Sequence, residues 1–226
     1  MVHGTKEDLV FGIKSASPIV MGYIPVGFAL GVMASDIGLS PLQVAMMSLF
    51  VYAGSAQFIA VNMLGMGAAP MAIIITTLLV NLRHFLFSAS LAPYFKKIHR
   101  KLIALISFFI TDESFAVSIT DMEKRQPSPV YFLSLYITSY SSWVVSTLLG
   151  NIFGSFIPDT KALGFDFALP GMFLALLCMQ LKNIKYGIVA LVAGVLSLFF
   201  IHIIPGNWNI ILATIIAALV GVIINK

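Results

Sequence analysis

Long apolar stretches alternate with short polar ones along this chain, and eight stand out: 17–35, 41–64, 68–95, 102–122, 130–153, 167–181, 186–204 and 208–225. Most reach the roughly 20 residues that carry a helix across the hydrocarbon core of a bilayer. None shows the ten-residue alternation of a membrane β-barrel strand. The pattern predicts an all-α polytopic membrane protein with about seven to eight transmembrane segments. The connections are short, so residues 1–226 read as one transmembrane domain, with 1–14 as a short polar tail. No secretory cleavage pattern follows the first apolar segment, which is expected to stay in the membrane.

Three stretches read as broken. The first contains Gly22, Pro25, Gly27 and Gly31; the second contains Ala53-Gly54-Ser55-Ala56-Gln57; the sixth is short and opens Asp166-Phe167-Ala168-Leu169-Pro170-Gly171. In lipid, irregular backbone persists only where protein or a water-filled cavity surrounds it. Secondary transporters build their binding sites from such broken helices. The pairs Gly27/Gly31 and Gly150/Gly154 fit close helix packing, whereas Gln57 adds a polar group that packing does not need. A faint repeat is also visible: Gly27, Gly31, Asp36 and Gln57 recur 123 residues later as Gly150, Gly154, Asp159 and Gln180.

Composition agrees with a membrane chain. Of 226 residues, 59% are hydrophobic and 10% charged, against about 25% charged in soluble domains. No basic patch with interleaved aromatics suggests nucleic acid. The single cysteine, Cys178, excludes an internal disulfide and a Cys-based metal site. No metal or cofactor is expected. With eight crossings, seven Lys and Arg fall on the side of the N-terminus and five on the other, a weak orientation bias. One re-entrant segment would instead put the N-terminus and the dense 96–101 basic cluster on one side, expected to be cytoplasmic. Trp143, Trp208, Tyr94, Tyr131 and Tyr186 read mostly as interfacial anchors, and His202 as a packing residue.

The informative exceptions are Arg83, His84, Asp112 and Glu113, each in the middle of an apolar stretch. Folded as a helical hairpin about the basic run 96–101, they lie about 15 residues to either side of its midpoint and share one depth to within roughly 3 Å. At the bilayer midplane an unpaired charge costs at least about 2.5–3.5 kcal/mol. Arg83 is expected to pair with Asp112 or Glu113. The carboxylate left over can load and release a proton near neutral pH, and His84 titrates in the same range. Polar stripes accompany them: Thr77, Asn81, His84 and Ser88; Ser107, Thr111, Ser114 and Ser118; Ser134, Thr138 and Ser141. These predict either a hydrated path or interhelical hydrogen bonds worth about 0.6 kcal/mol each.

The runs Val51-Tyr52-Ala53-Gly54-Ser55-Ala56-Gln57-Phe58, Val80-Asn81-Leu82-Arg83-His84, Thr111-Asp112-Glu113-Ser114-Phe115, Gly164-Phe165-Asp166-Phe167-Ala168-Leu169-Pro170 and Pro205-Gly206-Asn207-Trp208-Asn209 together resemble the AzlC family of branched-chain amino-acid exporters. The likeness runs from about residue 15 to the C-terminus. It implies export of leucine, isoleucine, valine and analogues such as azaleucine across a bacterial cytoplasmic membrane, driven by the proton motive force. It also implies a small membrane partner, AzlD.

Physical chemistry suggests a site for such a zwitterion. Backbone N–H groups at the Gly54, Ser55 and Gln57 break could hold the carboxylate. Asn81 and one of Asp112, Glu113 or Asp166 could hold the ammonium, with Phe58 and Met172 receiving the branched side chain. Two other readings compete. One is a non-transporting scaffold or auxiliary subunit, against which four midplane ionisable groups argue. The other is an intramembrane serine hydrolase using Ser55 with His84 or His202, although no G-x-S-x-G elbow is present. A transporter rather than an enzyme is the expectation.

Overall fold

A computed structural model describes residues 5–95, 98–124, 128–157, 183–203 and 208–224, with isolated positions between 164 and 181. Its regular elements among the described residues are all helical, as the hydropathy pattern requires. The chain divides into two compact units, Met1–Met172 and Phe173–Lys226.

The first unit contains α1 (Thr5–Asp36), α2 (Pro41–Phe50), α3 (Gly54–Gly65), α4 (Pro70–Leu91, continued by a 3-10 turn to Phe95), α5 (Arg100–Phe108), α6 (Asp112–Lys124) and α7 (Pro129–Gly154). Among the described residues, Lys6–Asp36, Pro70–Phe95 and Pro129–Gly154 are long and apolar enough to cross a membrane. The expected break in the first stretch is absent: α1 runs unbroken through Pro18 and Pro25. In lipid, unwinding would strand more backbone groups than a proline does, and α1 is braced along its length by α7.

That brace is a seam of small residues. Along it Gly12 faces Tyr131 and Ser134, Gly27 faces Ser146, Gly31 faces Thr147 and Asn151, and Gly154 faces Ser35. Positions rise together on both helices, so α1 and α7 run parallel. A Cβ at Gly31 would sit 2.1 Å from the Thr147 carbonyl oxygen, and one at Gly150 would sit 2.0 Å from that of Phe28. Only glycine allows this approach. The Gly27/Gly31 and Gly150/Gly154 recurrence therefore marks two faces of one seam; Asp159 and Gln180 lie outside the described residues. Tyr131 and Trp143 are not interfacial anchors: they are 0% and 1% exposed and belong to the core between these helices.

The second apolar stretch does not cross the unit. Ser40 starts α2 with a capping box to Gln43 and Pro41 in its first turn. At the tip, 51–53, Tyr52 meets Tyr23 edge-on at 6.3 Å, midway along α1. From there α3 turns back, and a Cβ at Gly65 would lie 2.8 Å from the Ile37 side chain at the end of α1. Gln57 Nε2 donates to Ser48 Oγ at 3.4 Å; in one straight helix those residues would be about 13 Å apart. Thus α2 and α3 form a re-entrant hairpin.

The fourth stretch turns back too, contrary to the expected spanning helix over 102–122. Running against α1, α4 ends where Phe95 stacks edge-on with Phe132 at 5.1 Å, near the start of α7. From that end α5 climbs until Phe109 meets Tyr140 at 5.1 Å. The chain then breaks over 109–111 and α6 descends, touching Tyr23 through Thr111, Tyr136 through Ser118, and Ser15 through Asp121. The local cause is a reciprocal cap: the Ser114 N–H donates to Thr111 Oγ1 at 3.3 Å and the Thr111 N–H donates to Ser114 Oγ at 2.8 Å. This satisfies two otherwise stranded donors in the manner of a capping box.

The two hairpins match. Their tips are 51–53 and 109–111, and the returning helices begin at Gly54 and Asp112. Each follows a long helix, and the two enter from opposite ends of the unit. This is an inverted repeat of helix plus re-entrant hairpin, the symmetry many secondary transporters use. It differs from the 123-residue recurrence in the sequence. On α4, Met71, Ile74, Leu78, Leu82, Phe85 and Leu86 are exposed, an apolar face suited to lipid.

In the second unit α8 (Ile184–Phe200) and α9 (Trp208–Ile224) pack antiparallel, with Gly221 close against Val189. The Asn183 side chain caps α8 by accepting from the N–H groups of Lys185 and Tyr186.

Candidate functional site

The hairpin tips meet at a cavity lined by Tyr23, Tyr52, Ala53, Gly54, Ser55, Arg83, His84, Thr111, Asp112, Glu113 and Trp143. Its volume is about 10 Å³, room for about one water. Two helix N-termini point into it. The first backbone bond of α3 is Gln57 N–H to the Ala53 carbonyl, so the N–H groups of Gly54 and Ser55 precede the ladder and stay available. At the α6 N-terminus, Asp112 and Glu113 occupy the first turn, where the helix dipole favours negative charge.

Arg83 ties the two tips together. From α4 its Nη2 donates to Ser55 Oγ on the first hairpin and pairs at 2.9 Å with Asp112 Oδ2 on the second. Glu113 is held differently: Tyr23 Oη donates to its Oε2 at 2.7 Å and lies 2.8 Å from Thr111 Oγ1. One guanidinium, two carboxylates and two helix N-termini, each equivalent to about +0.5 charge, come close to cancelling. That balance lets two carboxyl groups occupy an apolar environment.

Aromatic rings form the rest of the wall. Trp143 stacks edge-on against Tyr23 at 5.0 Å, and a Cβ at Gly54 would come within 2.9 Å of its ring. Tyr52 is 6% exposed, and its hydroxyl has no hydrogen-bond partner; Tyr23 is a close electrostatic neighbour but lacks hydrogen-bond geometry. A buried donor without a partner costs about 1–3 kcal/mol. It is the kind of group that a ligand can satisfy.

The structure thus brings together Gly54, Ser55, Arg83, His84, Asp112 and Glu113. It does not bring Gln57 or Asn81 to the cavity. The Gln57 amide is spent on Trp143, whose Nε1 donates to Oε1 at 2.7 Å, and on Ser48. Asn81 is not among the lining residues; its Oδ1 is buried without a hydrogen-bond partner, while its carbonyl faces His84 Nδ1 at 3.2 Å. Phe58 is a core residue, 1% exposed, and does not line the cavity. Asp166 and Met172 lie outside the described residues. Among those described, no hydrogen bond joins Ser55 to a histidine, so the nucleophile–base pair of the hydrolase reading is not assembled.

The stripe on α7 falls on other positions than expected. Ser141 is exposed, and Ser134 bonds its own Tyr131 carbonyl. The buried polar face is instead Ser139, Ser146, Thr147 and Asn151. Sequence reasoning also passed over Tyr23 and took Trp143 for an interfacial anchor. Tyr23 lies between Gly22 and Pro25, a hint that this turn of α1 faces protein rather than lipid.

Comparison with known proteins agrees with this architecture. Residues 18–157 match the family model described as AzlC protein. The chain is 32% identical over 204 residues to the inner membrane protein YgaZ of Escherichia coli, covering 85% of this chain and 82% of that protein. It is 30% identical over 208 residues to the branched-chain amino acid transport protein AzlC of Bacillus subtilis, covering 91% and 80%. An uncharacterized membrane protein of Archaeoglobus fulgidus is 32% identical over 213 residues, covering 90% and 93%. No solved structure matches the chain. With a family match across both hairpins and the cavity between them, and with relatives of this kind over most of its length, the chain belongs to the AzlC family.

Proposed function

We propose that the protein is a secondary transporter that exports branched-chain amino acids, leucine, isoleucine, valine and their analogues, in exchange for protons. The observation that carries this reading is Arg83, joined to the tips of two oppositely entering hairpins beside Glu113. A zwitterion needs what the cavity holds. Its carboxylate suits Arg83 and the α3 N-terminus at Gly54 and Ser55; its ammonium suits Asp112 or Glu113. The faces of Tyr23, Tyr52 and Trp143 suit a branched aliphatic side chain.

A cavity of about 10 Å³ does not hold such a molecule. Transport on this reading requires the tips to part, first toward one side and then toward the other, which an inverted repeat permits. Glu113, held by a neutral hydroxyl, is the coupling carboxyl. Residues 37–69, the hairpin that enters from the end where α1 finishes, carry no charged residue, whereas Lys6, Lys14, Arg100 and Lys101 lie toward the opposite end. The positive-inside rule then makes the N-terminal end cytoplasmic. The B. subtilis relative is named for branched-chain amino acid transport, and a small AzlD-like membrane subunit is the proposed partner.

The test is export from cells with and without the gene, fed a valine- or leucine-containing dipeptide at two external pH values. Faster appearance of free amino acid outside, changed by pH, is the expected result. No difference between the strains at either pH would favour the non-transporting scaffold.

A further inference from the structure

Nine residues beyond Asp112, α6 carries a third carboxylate, Asp121, that the cavity does not use. Its Oδ2 accepts from Ser15 Oγ on α1 at 3.0 Å and from Tyr131 Oη on α7. Between it and the cavity the same face of α6 presents Ser114 and Ser118, both fully buried. Ser118 Oγ lies 2.9 Å from the Tyr136 hydroxyl. At the cavity end, Glu113, Tyr23, Thr111 and Ser114 are joined at 2.7, 2.8 and 3.3 Å. The hydroxyl groups therefore form a line down the returning arm of the second hairpin, from Glu113 toward the end of the unit that holds the start of α1. Its two gaps, Ser114 to Ser118 and Ser118 to Asp121, each span one helical turn, about 5–6 Å between Cβ atoms. One water bridges such a distance.

From this line we infer that Asp121 is the cytoplasmic-end station of a proton path serving the cavity from the N-terminal side, an inference that rests on the proton-coupled reading above. The transfer balances without any other reactant. Protonated Glu113 gives its proton to the Tyr23 oxygen as Tyr23 passes its own to Thr111. Each hydroxyl or bridging water in turn accepts one proton and releases one. Asp121 takes up the last, leaving Glu113 as carboxylate and Asp121 as carboxylic acid, which discharges to water at that face. Among the described residues, the groups facing Asp121 are Tyr131 from α7 and Ser15 from α1; on α1, Lys14 is exposed and Asp8 is buried one to two turns earlier. Those facing Glu113 are Tyr23, Tyr52, Arg83, His84 and Asp112. If Asp121 only pinned α6 to α1 and α7, asparagine, which keeps an acceptor oxygen in place, would serve as well.

Inverted membrane vesicles from cells expressing the full chain separate the possibilities. Two rates are read for wild type, Asp121→Asn and Ser118→Ala: leucine accumulation driven by a pH gradient, and leucine counterflow at equal pH. The expected result is at least tenfold slower gradient-driven accumulation in Asp121→Asn, a smaller loss in Ser118→Ala, and counterflow within twofold of wild type in both. Counterflow also shows that each variant is folded. Gradient-driven accumulation at the wild-type rate in Asp121→Asn overturns the path while leaving the transporter reading intact. A wild type whose leucine flux ignores the pH gradient overturns both. If Asp121→Asn loses both rates together while Asp121→Glu restores neither, the residue is structural and the path is wrong.

Discussion

Removing either member of the Arg83–Asp112 pair takes from the other its ion-pair partner inside the membrane-spanning unit. Their side chains are 24% and 13% exposed and 2.9 Å apart. At an effective dielectric of about 20, that separation corresponds to an attraction of about 6 kcal/mol, against about 1.4 kcal/mol in bulk water. Desolvation offsets much of it, but a single truncation leaves the surviving charge without its ion-pair partner, at about 3–5 kcal/mol. Arg83→Ala and Asp112→Ala should each destabilise by that amount. The double variant should lose no more than either single one, because the second truncation removes the stranded charge. The coupling energy is then at least about 3 kcal/mol. It is measured as a double-mutant cycle from reversible unfolding in mixed micelles. If the two single losses add to within about 0.5 kcal/mol, the pair is not the tie between the hairpins, and the electrostatic account of the cavity fails.

Other consequences follow from the same geometry. Gly150→Ala places a methyl 2.0 Å from the Phe28 carbonyl and should cost about 1–3 kcal/mol through overpacking, whereas Gly22→Ala, with nothing within 4 Å, should be neutral; thermal melts in detergent compare them. In a Cys178→Ser background, cysteines at Leu42 and Met66, exposed at the two ends of the first hairpin, should react with an impermeant thiol reagent from the same side of the membrane, and one at Lys101 from the other. Labelling of Leu42→Cys and Met66→Cys from opposite sides would mean that the stretch crosses. Glu113→Gln should keep leucine counterflow at equal pH in vesicles but abolish leucine accumulation driven by a pH gradient; unaltered gradient-driven accumulation moves coupling to Asp112 or His84.

Much of the site was legible in the sequence because charge in an apolar stretch is costly, so Arg83, His84, Asp112 and Glu113 had to converge on something. The glycines at 27, 31, 150 and 154 likewise announced a close seam. The course of the backbone between these points was less visible. A half-crossing helix and a full one share the same apolar composition, so 102–122 reads as one span until the cap at Thr111 and Ser114 is noticed. A Thr-x-x-Ser cap enclosing two acids is a helix-start signal, but one that a serine in place of glutamate weakens. The hairpin counted from the basic run still placed the four charged groups together. The reason is that the tip at 109–111 lies about as far from residue 100 as Arg83 lies from Phe95. Gln57 misled for a different reason. A buried amide can be spent entirely on scaffold partners, here Trp143 and Ser48, and nothing in its sequence context reports that. Tyr23 escaped notice and Trp143 was taken for an interfacial anchor because an aromatic residue in a membrane helix looks alike whether it faces lipid or a site.

The claim on which the rest depends is that a branched-chain amino acid enters between the two hairpin tips. Ala53 lines that space and is 6% exposed, so a single cysteine there reports on it directly. The measurement is the rate at which a small thiol reagent modifies Ala53→Cys in a Cys178→Ser background, with and without saturating leucine. Leucine should slow the reaction at least fivefold, and glutamate should leave it unchanged. A modification rate indifferent to leucine, in a variant that still transports it, would place the substrate elsewhere.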